Sequence, residues 1–239
     1  MSSSSLILSI ETAAGCGSVA LTRGGVRDGR LLAEAAVHTD LTHSRRLLGS
    51  VAWVMQAVGV DWCELDAVAV SIGPGSFTGL RIGLAAAKGI VFAADKPLIC
   101  VPTLDAVALS CPLLDHPFWC IMDARKQEVY AACYRLRPDG LPEPCGPAEA
   151  IRPELLAAKL DPSAVVAGPG LAEYHTLFAR SEGRRFITPA QSSPSAAKIG
   201  FLAAERLAQG EISNPVSAVP LYVRASEAEV NLKKKTAAR

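Results

Sequence analysis

One run, Ser71-Ile-Gly-Pro-Gly-Ser-Phe-Thr-Gly-Leu-Arg-Ile-Gly83, constrains this chain more than any other. It follows a strand-like stretch, Ala67 to Ile72, and leads into a helix-like one, Leu80 to Ala94. Glycine reaches φ > 0 and permits close backbone approach, and Pro74 fixes one dihedral. The backbone must therefore turn sharply from strand into helix. The helix N-terminus leaves N–H groups facing that turn, which suits an anion or a packed neighbour. Gly73, Gly75 and Ser76 are the candidate ligand-lining residues. Three standard templates nevertheless fail. A dinucleotide fingerprint has one residue fewer between its second and third glycines, a P-loop needs Lys-Ser/Thr where Leu80-Arg81 stands, and a nucleophile elbow needs glycines where Pro74 and Thr78 flank Ser76.

With 239 residues, half of them hydrophobic, and a net charge of +1, the chain fills a core easily and carries no global basic field for nucleic acid. Any RNA contact is expected to be local or through a partner. The seven cysteines, at 16, 63, 100, 111, 120, 133 and 145, form no C-x-x-C pair, which predicts reduced thiols rather than a disulfide scaffold or zinc cluster. The N-terminus lacks a basic signal-peptide region, and no unbroken apolar run reaches ~18 residues, so a soluble cytoplasmic protein is expected.

Along the chain, Leu6–Ile10, Ser18–Thr22 and Arg30–Val37 predict a three-stranded meander with Glu11 and Thr12 at the end of its first strand. A helix over Leu47–Val58, capped by Thr42 or Ser44, follows. It is apolar nearly all round, with Leu47, Leu48, Val51, Trp53, Val54 and Met55. A surface helix shows one apolar stripe, so this one must bury more than one face. The helix after the Gly-rich run repeats the pattern with Leu80, Leu84 and Val91, and its only charges are Arg81 and Lys88. Gly79, Gly83 and Ala87 recur every four residues and form a smooth strip open to close helix approach. Two such helices in succession predict a subunit interface built from these twelve residues.

Further on, Lys96–Val101 reads as a strand and Leu104–Ser110 as a helix. Phe118–Met122 and Glu128–Leu136 read as strands joined by the polar turn Asp123–Glu128, which reads as a solvated or salt-bridged corner, the alternative being that Asp123 and Arg125 bracket the cleft between the lobes. Arg137–Pro147 reads as a loop, Pro153–Leu160 as a helix, Ala164–Ala167 as a strand, and Gly168-Pro-Gly170 as a second Gly-Pro-Gly turn before a helix. Pro194–Gln209 is a helix, Asn214–Arg224 is extended, and Val230–Arg239 is a basic tail. The expected fold is α/β and two-lobed, of the actin, sugar-kinase and Hsp70 (ASKHA) type, each lobe a mixed sheet with helices. Residues 1–103 form the first lobe and 104–225 the second, with helix 194–209 free to pack back on the first; 226–239 is tail.

Ile10-Glu-Thr12, His43-Ser-x-x-Leu47, Gly73-Pro-Gly-Ser-Phe-Thr-Gly-Leu-Arg-Ile-Gly83, Ala87-Lys-Gly89, Asp123-Ala-Arg-Lys-x-Glu-Val-Tyr130 and Pro220-Leu-Tyr-Val-Arg224 together resemble the TsaB (YeaZ) family. The resemblance implies a non-catalytic partner of a TsaD-type catalytic subunit, with a TsaE-type ATPase as third component. Together they place threonylcarbamoyl on N6 of adenosine 37 in tRNAs reading ANN codons. It also implies pairing through the two first-lobe helices, with TsaD or with a second copy, tRNA contact through the complex, and no membrane contact.

The paralogous TsaD carries a metal on an H-x-x-x-H pair. Here Thr103 and Val107 stand at those places, and neither ligates a metal. No catalytic residue and no metal ligand is therefore expected. The kinase-like fold carries an acid and hydroxyls near phosphate at its first turn, here Glu11 and Thr12, but that turn lacks Lys or Arg. No tightly bound cofactor is expected, with ATP or ADP only at the assembled complex. The competing reading is an ATP-dependent small-molecule kinase of the same fold. It lacks a phosphate-gripping cation and a general-base Asp in a readable motif.

Overall fold

The meander forms as β1 (Leu6–Glu11), β2 (Cys16–Arg23) and β3 (Arg30–His38), joined antiparallel. The chain then crosses over through α1 (Ser44–Val58) to β4 (Ala67–Ser71), and through α2 (Phe77–Ala94) to β5 (Leu98–Val101). Both added strands are parallel to β1, giving the sheet order β3-β2-β1-β4-β5. In this computed structural model the described residues are 4–38, 44–111 and 116–224. Thr42, His43 and the tail from 225, for which caps and contacts are expected, lie outside them.

β1 and β4 are buried along their whole length, because parallel strands are covered on both faces. On one face Leu8, Ile10, Val68 and Val70 meet Leu47, Val51, Val54, Leu84 and Val91 of α1 and α2. On the other, Ile7, Ala67, Ala69 and Ile99 meet Ile199, Leu202 and Ala203 of α7 (Ala196–Ala208). That helix comes late in the chain yet packs on the first sheet. Its first amides donate to Ser18 Oγ (2.8 Å) and Glu34 Oε1 (3.1 Å), so residues of the meander cap it. A Cβ on Gly200 would collide with the Thr22 hydroxyl, so only glycine lets α7 lie this close to β2.

The second sheet has the order β11-β10-β6-β7-β8 and is reached through α3 (Thr103–Ala108). Its strands are β6 (Phe118–Asp123), β7 (Val129–Leu136), β8 (Pro142–Pro144), β9 (Glu149–Ile151), β10 (Val165–Ala167) and β11 (Arg185–Ile187); β9 also pairs with β7. α4 (Pro153–Lys159), α5 (Leu171–Phe178) and the short α6 (Pro189–Ser192) complete the lobe. β8 lies inside the stretch expected to be loop. β8, β9 and β11 have three residues each, too few to show a period in the sequence.

A half-buried cluster rivets the two lobes. Tyr134 Oη on β7 donates to Asp105 Oδ1 of α3 (2.8 Å), and Arg206 of α7 donates to Asp105 Oδ2 (3.0 Å) and to the Cys100 carbonyl (2.8 Å). Beyond α7, Ser213 bridges Leu98, and the extended chain runs on until Leu221 N donates to Ile72 O (2.7 Å). α2 is long and apolar enough to cross a membrane by length and composition, but it lies against β4 with Leu80, Leu84, Ala87 and Val91 buried.

Candidate functional site

The Gly-rich run closes on itself and on the first turn. Ser76 N donates to Ala13 O (2.8 Å), Thr12 Oγ1 donates to Gly79 O (2.8 Å), and Ser76 Oγ caps α2 by accepting from Gly79 N (3.2 Å). Gly73 has φ +114°; its N–H donates to Thr103 Oγ1 (3.1 Å), and Thr103 N returns a bond to Gly73 O (2.8 Å). A Cβ on Gly75 would stand 2.5 Å from Ala13 O, and one on Gly79 would land on the Thr12 carbonyl. The glycines serve backbone-on-backbone packing. The N-terminal amide that Ser76 satisfies is not free for an anion.

Glu11 and Thr12 are fully buried, which corrects their expected place beside a ligand. Glu11 Oε1 accepts from Ala13 N (2.6 Å) and Ser71 Oγ (3.3 Å), while Oε2 has no partner among the described residues. Burial pushes this carboxyl up to about 7, against the opposing pull of those hydrogen bonds. A half-neutral acid that holds the first turn from beneath is a brace. Gly73, too, is buried. Of the five residues expected near a nucleotide, only Gly75 and Ser76 line open space.

That space is an inter-lobe cleft of about 590 Å³ between the first turn, the Gly-rich run and the polar corner. Its charges are largely paired. Asp123 accepts from Arg125 N (2.9 Å) and faces its guanidinium at 3.5 Å, and Arg224 pairs with Glu128 at 2.7 Å. The turn is thus a salt-bridged corner, and its Asp123 and Arg125 also line the cleft, so the two readings of it coincide. Arg125, Lys126 and Gln127 take φ values of +60°, +54° and +60°, three left-handed residues in succession where single ones are usual.

The outer surface of α1 and α2 is different. Leu48 is 61% exposed, Trp53 53% and Phe92 63%. The same two helices also expose the small residues Gly49, Ala52, Ala85, Gly89 and Ala93. A Cβ on Gly49 or Gly89 would meet nothing, so the chain's own fold does not require glycine at either place. Glycine inside a helix costs about 0.5–1 kcal/mol relative to alanine. At the edge of this face Arg81 lies over the Phe77 ring (3.7 Å) and donates to Tyr222 Oη (3.0 Å).

This placement corrects most of the expected interface. Leu47, Val51, Val54, Met55, Gly79, Leu80, Gly83, Leu84, Ala87 and Val91 are buried in the chain's own core. A Cβ on Gly83 would strike the Thr12 hydroxyl, so the strip Gly79-Gly83-Ala87 faces inward. Only Leu48 and Trp53 of the twelve are exposed. Periodicity does not single out Ala85, Gly89 and Phe92, because α2 has small residues on two faces and the period does not say which one meets the sheet. Arg81 was the available signal. A charge belongs on the water side, and Ala85, Gly89 and Phe92 share its face at helical spacing. Thr103 and Val107, the residues expected where a metal-binding pair would stand, are both buried, and among the described residues no group of three potential metal ligands forms.

The TsaD family model, tRNA N6-adenosine threonylcarbamoyltransferase, matches residues 37–232. An uncharacterized protein of Mycobacterium tuberculosis is 34% identical over 230 residues, 94% of each chain. The tRNA threonylcarbamoyladenosine biosynthesis protein TsaB of Bacillus subtilis is 29% identical over 93% of this chain and 96% of its own. The crystal structure of YeaZ from Pseudomonas aeruginosa superposes with a TM-score of 0.75 at 28% identity, covering 91% of this chain and 99% of that one. The order of the first sheet, the closed Gly-rich turn and the outward helical face thus sit in a fold shared over most of the chain, and the chain belongs to the TsaB (YeaZ) group of the TsaD family.

Proposed function

We propose that this chain is a non-catalytic subunit of the machinery that makes threonylcarbamoyladenosine in tRNA, acting on N6 of adenosine 37 in tRNAs reading ANN codons. Its task is to hold a TsaD-type catalytic subunit through the outer face of α1 and α2; a TsaE-type ATPase joins the assembly in the cytoplasm. One observation carries the reading: Leu48, Trp53 and Phe92 stand exposed around Gly49 and Gly89, two helical glycines with no use inside the chain. Small residues flanked by large apolar ones let two helices from another subunit approach closely and bury the rim. The same face serves a second copy when the partner is missing. ATP or ADP acts at the assembled complex, and tRNA is reached through the partner.

A kinase reading finds less support. Glu11 and Thr12, its candidate phosphate-side residues, are buried and engaged in bracing the first turn. The test is co-purification of the full chain with a TsaD-type subunit. Wild type is expected to form a stable complex, and Phe92→Glu to lose it while keeping its folded circular dichroism spectrum. A complex unchanged by Phe92→Glu and by Trp53→Glu would overturn the assignment of this face.

A further inference from the structure

Two cysteines on the two sides of one hairpin stand opposite each other at the edge of the second sheet. β7 and β8 pair with Tyr134 facing Pro144, Arg135 facing Glu143 and Leu136 facing Pro142. The same register carried one step further sets Cys133 against Cys145, and Cys145 N donates to Cys133 O (2.8 Å). Hydrogen-bonded antiparallel pairs have Cα atoms about 5.5 Å apart, inside the range of about 4.4–6.8 Å that a disulfide spans. Cys145 is exposed and Cys133 half-buried behind it.

We infer that Cys133 and Cys145 form a reversible thiol–disulfide pair that closes the β7–β8 hairpin under oxidising conditions. Cys145 is the sulfur within reach of a low-molecular-weight disulfide such as glutathione disulfide. Its thiolate attacks one sulfur of that molecule, forming a mixed disulfide and expelling one glutathione thiolate. Cys133 gives its proton to solvent and attacks the Cys145 sulfur, which forms the intrachain bond and releases the second glutathione. Two protein thiols are oxidised and one glutathione disulfide is reduced to two thiols. Burial first, and the neighbouring Cys145 second, push the Cys133 thiol up to about 12, which disfavours it as the first attacker. An exposed disulfide at such a position belongs to the readily reduced class. The hairpin it would clip also touches the first lobe, where Arg27 Nε donates to Asp139 O (3.1 Å).

The inference is tested on the full chain, equilibrated in glutathione buffers from reducing to oxidising and quenched with an alkylating agent. Tryptic cleavage after Arg135 separates the two cysteines, so their disulfide appears as a cross-linked peptide pair. The expected result is loss of alkylation at both positions together, restored fully by dithiothreitol. Cys133→Ser should instead trap a glutathione adduct on Cys145, and Cys145→Ser should leave Cys133 alkylatable throughout. Independent glutathionylation of both residues, or full alkylation of both in oxidising buffer while the fold persists, would overturn it.

Discussion

α1 and α2 each carry apolar residues on two faces, and the two faces obey different rules. The inner face is packed to the atom: Gly79 and Gly83 are glycines because Thr12 occupies the space that their Cβ atoms would need. The outer face has the same chemistry with room to spare. Gly49 and Gly89 could each take a Cβ without touching anything, and Phe92 and Trp53 stand more than half exposed. Small residues at helical spacing thus mean two things in one helix, contact with the chain's own first turn or room for another chain. The discriminating quantity is what a Cβ would meet.

Substitutions can break or sharpen this contrast. The largest effect is expected on the inner face. Gly79→Val drives a branched side chain into the Thr12 carbonyl and should cost roughly 3 kcal/mol or more, read as a drop in denaturation midpoint, by analogy with overpacked cores. The same region has a pH signature. Glu11 holds its proton more tightly folded than unfolded, its carboxyl rising from 4.5 to about 7. Its contribution is therefore fully present below pH 4.5 and is lost as pH rises to about 7. The stability difference between wild type and Glu11→Gln should shift across that window by on the order of 3 kcal/mol, with the variant gaining as pH rises; a difference flat with pH would show that the carboxyl is not buried in the neutral form.

On the outer face the signs reverse. Phe92→Glu should leave the unfolding midpoint of the monomer within about 0.5 kcal/mol of wild type, because a surface change disturbs no packing. It should weaken association with the second subunit by on the order of tenfold or more, as measured by sedimentation or titration calorimetry. The smallest effect is the most telling. Gly89→Ala should raise monomer stability by about 0.5–1 kcal/mol and lower the affinity for the partner at the same time. A stabilised monomer with unchanged affinity would mean that the glycine serves no approach.

The two Gly-Pro-Gly turns extend the comparison to the lobes. Each follows a strand parallel to the first strand of its sheet and leads into a helix, and Gly73 and Gly168 share φ +114°. Gly170 N donates to Ile121 O (3.1 Å) as Ser76 N does to Ala13 O. The first turn opens an 18-residue helix with an apolar outer face; the second opens the 8-residue α5. The shared backbone device sets a helix on a sheet in both lobes, and the length and outer face of that helix set the first apart.

Much of the fold was legible in the residues. Strand and helix periods, the meander and the Gly-Pro-Gly turns located most elements, because backbone sterics and burial act locally. β8, β9 and β11 were not, since three residues carry no period. The family was legible through the motifs from Ile10 to Arg224 that resemble it. The sequence also determined that α1 and α2 hold more apolar surface than one face can use. Only the tertiary structure decided which face is used up inside. A helical period repeats identically on opposite sides, and the choice between them depends on what lies across the gap: Thr12 beneath Gly79 and Gly83, and open space above Gly49 and Gly89.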